Sequence, residues 1–301
     1  MKTIIFAAVV VIYAVACQRA TAPAITPVRN IEITNDNGQR ILACRASASA
    51  MLLPGYKTWL DQSYNDYTID SATVKQLQPQ LKNVSMEIFL GSWCGDSRRE
   101  VPRMLKILAA AGMDTARISM VFVDNALNHY KQSPQREEKG MNIHHVPTFI
   151  LYKDRKETGR IIESPVVSLE KDLLQILENK HYQSNYQAIA YWRAHVAGRD
   201  KTIEASVLQK LQPQLQPLVK HYGEFAAYGN MLFAAGDTIE AINAFHLNTI
   251  LYPANTTAFN TLAEALTKLG RKKEAAMVLE KMLALTPGDE TLKKRIAVLG
   301  S

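Results

Sequence analysis

Strand and helix patterns alternate along the middle of the chain, and this order constrains the fold more than any other feature of the sequence. Runs of apolar and β-branched residues indicate strands, and an apolar stripe with helical spacing indicates the helix between them. In chain order, the expected elements are a strand at 86–90, a helix at 97–111, strands at 118–123, 148–152 and 159–162, and a helix at 168–177. This series predicts an α/β domain with a small sheet and helices on its faces.

The segments around this series are less regular. Residues 30–45 predict a β-hairpin, because alternating isoleucines precede an Asn-Asp-Asn-Gly turn. Residues 46–83 indicate mixed, partly helical structure. Within the series, the polar segment Lys131–Lys139 is compatible with a further helix, and Glu100 and Arg103 are expected to face solvent.

The first residues have the pattern of a targeting segment. Lys2 precedes an apolar run that is too short to span a bilayer but has the length of a signal-peptide core. The run ends in Ala-Val-Ala-Cys, which resembles a bacterial lipobox with Cys17 as the lipidated residue. The same Ala-x-Ala sequence also fits cleavage by ordinary signal peptidase, and an uncleaved anchor is a third alternative.

Residues 1–16 are therefore expected to be a signal peptide, and residues 17–29, rich in Ala, Thr and Pro, a flexible tether. This predicts a lipoprotein of the cell envelope that faces the periplasm and contacts the membrane through a lipid on Cys17, or otherwise a secreted protein. Export implies an oxidising or thiol-controlled compartment for the remaining cysteines, Cys44 and Cys94.

An internal repeat follows residue 183, where the strand patterns stop. Six residues recur with a constant spacing of 34 positions. The pairs are Phe225 and Phe259, Leu232 and Leu266, Gly236 and Gly270, Ala241 and Ala275, Phe245 and Leu279, and Pro253 and Pro287. This period resembles the tetratricopeptide repeat (TPR) over residues 221–288. The resemblance implies an all-α, TPR-like domain over residues 183–301 with a capping helix at 290–299.

Cys94 stands at a predicted strand-to-helix turn, within the sequence Trp-Cys-Gly-Asp-Ser. A thiol attacks a disulfide only as the thiolate, and a helix N-terminus favours that negative charge. Arg98 and Arg99 add positive charge in the first helical turn, whereas Asp96 disfavours the thiolate. Cys94 is therefore the candidate nucleophile.

Two motifs in this context resemble the thioredoxin superfamily. The first is Trp-Cys-Gly-x-x at the strand-to-helix turn, and the second is Val146-Pro147-Thr148, which matches the cis-proline loop of that family. The resemblance spans residues 60–180. A closer match is to exported thioredoxin-like proteins of Bacteroidetes, and it is carried by the segments Gly91–Arg103 and Gly159–Glu163.

The resemblance implies a thioredoxin-like α/β domain over residues 30–182, with a central mixed sheet flanked by helices and the hairpin as an N-terminal extension. It implies that Pro147 is cis and faces Cys94, and that Val146 offers its backbone to an extended substrate. The other substrate-binding positions that it implies are Trp93, Gly95, Asp96 and Thr148.

Two departures from the family bear on mechanism. Ser97 stands where thioredoxins carry a resolving cysteine, and Ile88 stands where they carry a buried Asp. The resemblance therefore implies a monothiol site in which Cys94, Ser97 and Pro147 are the catalytic positions. Release of a mixed disulfide needs an external thiol or Cys44, whose alternative role is that of a small buried hydrophobe.

Composition argues against several other classes. The hydrophobic share of 47% and the charged share of 21% argue against a disordered chain. The net charge of +7 is spread evenly, without a basic stripe interleaved with aromatics, so no nucleic-acid partner is predicted. Zinc-ligand spacings and phosphate loops are also lacking, so neither a metal nor a cofactor is expected. His144 and His145, directly before the Val-Pro-Thr motif, are expected to be ordinary loop residues; the alternative is that they tune Cys94 or line the cleft beside it.

Two hypotheses on function follow. In the first, the protein is an exported monothiol thiol-disulfide oxidoreductase or isomerase that holds a protein substrate at the cis-proline loop. In the second, it is a redox-inactive scaffold that binds an envelope protein. The helical repeats favour a protein partner in both cases, because stacked helix pairs present a concave surface.

Overall fold

The computed structural model describes residues 30–300. The strands in this range are β1 (Glu32–Thr34), β2 (Arg40–Leu42), β3 (Arg45–Ala46), β4 (Val84–Leu90), β5 (Ile118–Phe122), β6 (Thr148–Lys153) and β7 (Lys156–Ile162). The α-helices are α1 (Pro54–Asp66), α2 (Ser71–Leu77), α3 (Gly95–Ala110), α4 (Leu169–Leu177), α5 (Gln187–His195), α6 (Ala205–Leu215), α7 (Glu224–Ala235), α8 (Thr238–Leu251), α9 (Thr256–Lys268), α10 (Lys272–Leu285) and α11 (Glu290–Gly300). The expected signal peptide, the tether and Cys17 lie outside the described residues.

A mixed five-stranded sheet is the centre of the first unit. Its strand order is β3-β5-β4-β6-β7, in which β4 and β5 are parallel and all other neighbours are antiparallel. Ile88 on β4 pairs with Met120 on β5 and with Phe149 on β6. Successive side chains of a strand point to opposite faces, so the fully buried Ile88 and Phe89 enter two different hydrophobic clusters.

The two faces of the sheet differ in what covers them. The larger cluster, which contains Ile88, includes buried residues of α1, α2, α3 and α4. The smaller cluster, which contains Phe89, is completed by Val123, Val146 and the half-buried side chains of Trp93 and Cys94. The candidate nucleophile therefore lies at the margin of the smaller cluster.

The predicted hairpin is present and is tied to the sheet through one asparagine. β1 and β2 pair antiparallel as a separate two-stranded sheet. Asn35 lies in the turn, where its Oδ1 accepts hydrogen bonds from the backbone N–H groups of Asn37 and Gln39. Its Nδ2 donates to Asp124 Oδ1 at 2.8 Å and to Asn125 Oδ1 at 2.7 Å. Asn35 thus holds the hairpin against the loop that follows β5.

The polar segment Lys131–Lys139 is not helical, so that expectation is wrong. Lys131 and Arg136 both have a φ of +59°, a left-handed value that interrupts a right-handed helix. The backbone of this segment forms hydrogen bonds instead with Asp124, which follows β5. The N–H of Lys131 donates to Asp124 O at 2.9 Å, and the N–H of Asp124 donates to Gln132 O at 2.9 Å.

Glu100 is buried, although the sequence predicts it in solvent. Its side chain accepts from Arg99 Nε at 2.6 Å and lies 3.4 Å from Arg103 Nη1. A carboxylate is tolerated in a buried position when it is paired in this way. Arg103 remains half-buried, with its guanidinium 5.2 Å from the centre of the Tyr67 ring.

The second unit, from α5 to α11, is entirely helical within the described residues. α8 and α10 begin 34 residues apart, as the repeat in the sequence requires. Gly236 and Gly270 follow α7 and α9 with φ values of +88° and +73°, the left-handed conformation in which many helices end. The expectation of an α/β domain followed by helices is confirmed. Across residues 30–300, every helix is too short or too polar to cross a membrane.

Close packing of α7 on α8 yields the first prediction. A Cβ added at Gly229 of α7 would overlap the ring of Phe245 on α8. We expect Gly229→Ala to lower the free energy of unfolding in urea by about 1–3 kcal/mol, because overpacking outweighs the gain in helix propensity. The control is Gly288→Ala, whose added Cβ meets no atom within 4 Å. Equal stability of the two variants would contradict the packing described here.

Candidate functional site

Cys94 occupies the N-cap position of α3. Its backbone is extended, its N–H donates to Gly91 O at 3.0 Å, and its own carbonyl accepts from Arg98 N–H at 3.0 Å. The Sγ atom donates to the backbone oxygen of Val146 at 3.3 Å and is partly exposed. The unpaired N–H groups at the start of α3 favour a negative charge on this sulfur.

The loop opposite Cys94 contains a cis peptide bond between Val146 and Pro147. Pro147 O accepts from the N–H of Glu163 at 2.6 Å, and Thr148 Oγ1 donates to His145 O at 2.7 Å. Val146, Pro147 and Thr148 are buried at the start of β6. These bonds fix the loop on its far side and leave Val146 O directed at the sulfur.

Ser97, which stands in place of a resolving cysteine, makes a structural hydrogen bond. It is fully buried, and its Oγ accepts a hydrogen bond from the N–H of Gly91 at 3.2 Å. It therefore ties the first turn of α3 to the end of β4, and the N-cap residue Cys94 receives no side-chain cap bond. The Ser97 hydroxyl therefore stabilises the turn that contains Cys94.

The charges around the turn are largely compensated. Asp96 Oδ1 lies 2.7 Å from Arg99 Nη2, so its negative charge is paired with a guanidinium. Arg98 Nε donates to Ser92 O at 2.7 Å, which holds this side chain against the turn. The repulsion that Asp96 exerts on a thiolate is therefore weakened, and Arg98 contributes positive charge nearby.

Trp93 connects Cys94 to a buried lysine that sequence reasoning missed. Trp93 Nε1 donates to Val123 O at 2.9 Å, which fixes the indole against the end of β5. Lys131 is 5% exposed, and its Nζ lies 4.3 Å from the centre of the Trp93 ring and 4.7 Å from that of Tyr130. These are cation–π distances.

The ammonium of Lys131 lies within electrostatic range of the thiol. Burial lowers the pKa of Lys131 to about 8, and the negative charges of Cys94 and Glu163 act in the opposite direction. A buried ammonium favours a thiolate beside it, because each charge stabilises the other in a poorly solvated site. One feature of the sequence points to Lys131: it lies in the loop that follows β5. Because β5 ends at the same edge of the sheet as β4, that loop lies near Cys94.

His144 and His145 join this loop to the helical unit. Both are buried, and their Nδ1 atoms are 2.6 Å apart. A hydrogen bond between two neutral rings at these atoms requires that one Nδ1 carries the proton and the other accepts it. The ring of His145 stacks on Tyr186 with a centroid distance of 3.9 Å. Tyr186 precedes α5, and its hydroxyl donates to Glu163. The histidines thus form part of the interface between the two units.

Cys44 lies in the larger cluster and is 1% exposed. Its Sγ accepts from the N–H of Ile31 at 3.3 Å, and burial raises the pKa of its thiol. No disulfide joins Cys44 to Cys94. The surroundings of Cys44 therefore disfavour the thiolate.

Comparison with known proteins gives no family assignment. The sequence matches no family model and no curated protein. Within residues 30–300, the structure brings together no group of three or more His, Cys, Asp or Glu side chains that could hold a metal ion. The function is therefore inferred from the geometry around Cys94.

The histidine pair predicts a pH-dependent stability. Burial lowers the pKa of His144 to about 3 and that of His145 well below its ordinary value of 6.5. Below pH 6.5 the unfolded chain binds protons at these positions and the folded chain does not, so stability falls with acidification. His145→Phe keeps a ring against Tyr186 and is expected to lose about 2 kcal/mol less than the wild type between pH 7.5 and pH 5.

Urea unfolding at the two pH values measures this difference, with the exposed His181→Phe as the matched control. Glu224, whose pKa burial raises to about 7, has the opposite pH dependence, but it is common to all three proteins. If His145→Phe loses as much stability on acidification as the wild type, the buried neutral pair is contradicted.

Proposed function

We propose that residues 30–182 form a thioredoxin-like domain and that the protein is an exported monothiol thiol-disulfide oxidoreductase acting through Cys94. The observation that carries the proposal is the position of the Cys94 sulfur. It lies at the N-terminus of α3 and 3.3 Å from Val146 O, directly before the cis bond to Pro147. The buried ammonium of Lys131 nearby adds to the case for a reactive thiolate.

The chemistry follows from a single thiolate. The Cys94 thiolate attacks one sulfur of a disulfide, a new S–S bond forms to Cys94, and the second sulfur leaves as a thiolate that takes a proton from water. An external thiolate then attacks the mixed disulfide and restores the Cys94 thiolate. The net reaction is an exchange of disulfide partners, which suits isomerisation or removal of small-thiol adducts from a protein.

Because Ser97 replaces a second cysteine, the reaction is expected to stop at the mixed disulfide. The oxygen of Ser97 cannot form a disulfide, and it is committed to the N–H of Gly91. Cys44 is nearly inaccessible within the larger cluster, and burial raises the pKa of its thiol, so its surroundings favour a packing role. The mixed disulfide at Cys94 is therefore expected to persist until a second molecule supplies a thiol.

The helical unit supports a second candidate function. Its 34-residue helix pairs support the assignment of TPR-like repeats, and such repeats bind proteins on a concave face. In this alternative, the protein is a redox-inactive scaffold for an envelope protein. Under both proposals, residues 1–16 direct export to the periplasmic side of the envelope, where a lipid on Cys17 anchors the chain in the membrane; secretion without a lipid is the alternative.

Persistence of the mixed disulfide gives a direct test. After incubation with bis(2-hydroxyethyl) disulfide and removal of the reagent, we expect the wild type to retain one adduct on Cys94. Ser97→Cys places a second thiol one helical turn away, where it displaces the adduct by closing an internal disulfide. Intact mass and peptide mapping follow both proteins over several hours.

Cys44→Ser is the control, because it removes the other cysteine of the domain without touching the turn. It is expected to keep the adduct as the wild type does. Absence of any adduct on Cys94 would reject the oxidoreductase and leave the scaffold. Spontaneous loss of the adduct from the wild type, prevented by Cys44→Ser, would show that Cys44 resolves it.

A further inference from the structure

A cleft of about 320 Å³ lies between the loop after β5 and helices α5 and α7. The loop contributes Tyr130, Lys131, Gln132 and Lys139, and the helices contribute Arg193 and Tyr228. Its volume is in the range of sites for small molecules, and aromatic and aliphatic side chains form much of its wall. Residues of both units of the chain thus line one cleft.

The cleft has an excess of positive charge. Lys131, Lys139 and Arg193 line it, and none of the three is in an ion pair within residues 30–300. The two acidic residues of the lining are already engaged. Glu138 pairs with Arg136 at 2.7 Å, and Asp237 accepts from Glu240 N–H at the start of α8. An anion is the ligand that this balance favours.

One residue that lines the cleft, and a neighbouring cleft as well, has a side-chain amide donor without an acceptor. Gln132 is 7% exposed, and its Nε2 has no hydrogen-bond partner among the described residues. Its backbone is fixed, because its N–H donates to His129 O and its carbonyl accepts from Asp124 N–H. A buried donor without a protein partner is unfavourable unless a water molecule or a ligand supplies the acceptor.

Two residues of the cleft also belong to the surroundings of Cys94. Lys131 belongs to both, since it lines the cleft and its Nζ lies over the Trp93 ring. Ile143 lines the cleft and packs in the same cluster as Trp93 and Cys94. Lys131 and Ile143 are therefore the residues through which the cleft adjoins the site of Cys94.

We propose that this cleft binds the carboxylate of the disulfide that Cys94 attacks, and that the substrates are low-molecular-weight disulfides, or mixed disulfides with such a thiol, that carry a carboxylate. The inference rests on the proposed function and names its substrate class. The guanidinium of Arg193 and the amide of Gln132 offer N–H donors in the combination that carboxylates accept. Lys131 adds a further positive charge to the lining of the cleft.

The test compares two disulfides of equal length and different charge, 3,3′-dithiodipropionate and its diamide. Mass spectrometry of the full chain gives the rate constant for adduct formation at Cys94 with each. At low salt, we expect the dianion to react about tenfold faster than the diamide. Arg193→Gln and Lys139→Gln, both at exposed positions, are expected to reduce that ratio several-fold. Lys210→Gln, an equal loss of charge on the exposed surface of α6, leaves it unchanged.

Gln132→Met tests the amide separately, because it keeps the length of the side chain and the charge of the cleft. It is expected to lower the ratio as well. Measurable but equal rates with the two disulfides in the wild type would overturn the inference and leave the proposed function intact. Failure of both disulfides to modify Cys94 would reject the proposed function and the inference with it.

Discussion

The parallel pairing of β4 with β5 at the centre of the sheet determines where every group of the site lies. Parallel strands end at the same edge, so the turn with Cys94 and the loop with Lys131 leave the sheet side by side. β6 runs antiparallel to β4 and therefore begins at that edge, with Thr148 opposite Phe89. This arrangement places Val146 and Pro147 against the sulfur of Cys94. Three segments far apart in sequence thus converge because of one strand pairing.

The electrostatics of the site depend on the same edge. Two sources of positive potential meet at Cys94, namely the N-terminus of α3 and the buried ammonium of Lys131. Arg99 compensates the opposing charge of Asp96. The helical unit closes the other side of the loop through the stack of His145 on Tyr186. The loop between β5 and β6 therefore carries both Lys131, which is near the nucleophile, and His145, which contacts the helical unit.

Local patterns in the sequence are sufficient for the hairpin, for four strands of the sheet and for α3. They lie within a few residues of their expected bounds, because strand alternation, helical spacing and turn residues are local properties of the sequence, whereas the short edge strand β3 has no such pattern. The conformation of the loop after β5 does not follow from its sequence. Its backbone forms hydrogen bonds with Asp124, and a polar run gives no indication of that partner. Burial of Glu100 and of Lys131 depends on packing between elements. For the same reason, the bond from Gly91 to Ser97 and the stack of His145 on Tyr186 became visible only in three dimensions.

Alkylation of Cys94 by iodoacetamide, compared between the folded and the urea-unfolded chain at pH 7, tests the central claim most directly. Peptide mapping separates Cys94 from Cys44, which serves as the buried reference. The account predicts that Cys94 reacts faster in the folded chain, and that Lys131→Met slows this reaction about tenfold, because an opposite charge is lost beside the thiolate. Lys210→Met leaves the rate unchanged. Folded Cys94 that reacts no faster than in the unfolded chain, with no effect of Lys131→Met, would contradict a reactive thiolate at this site.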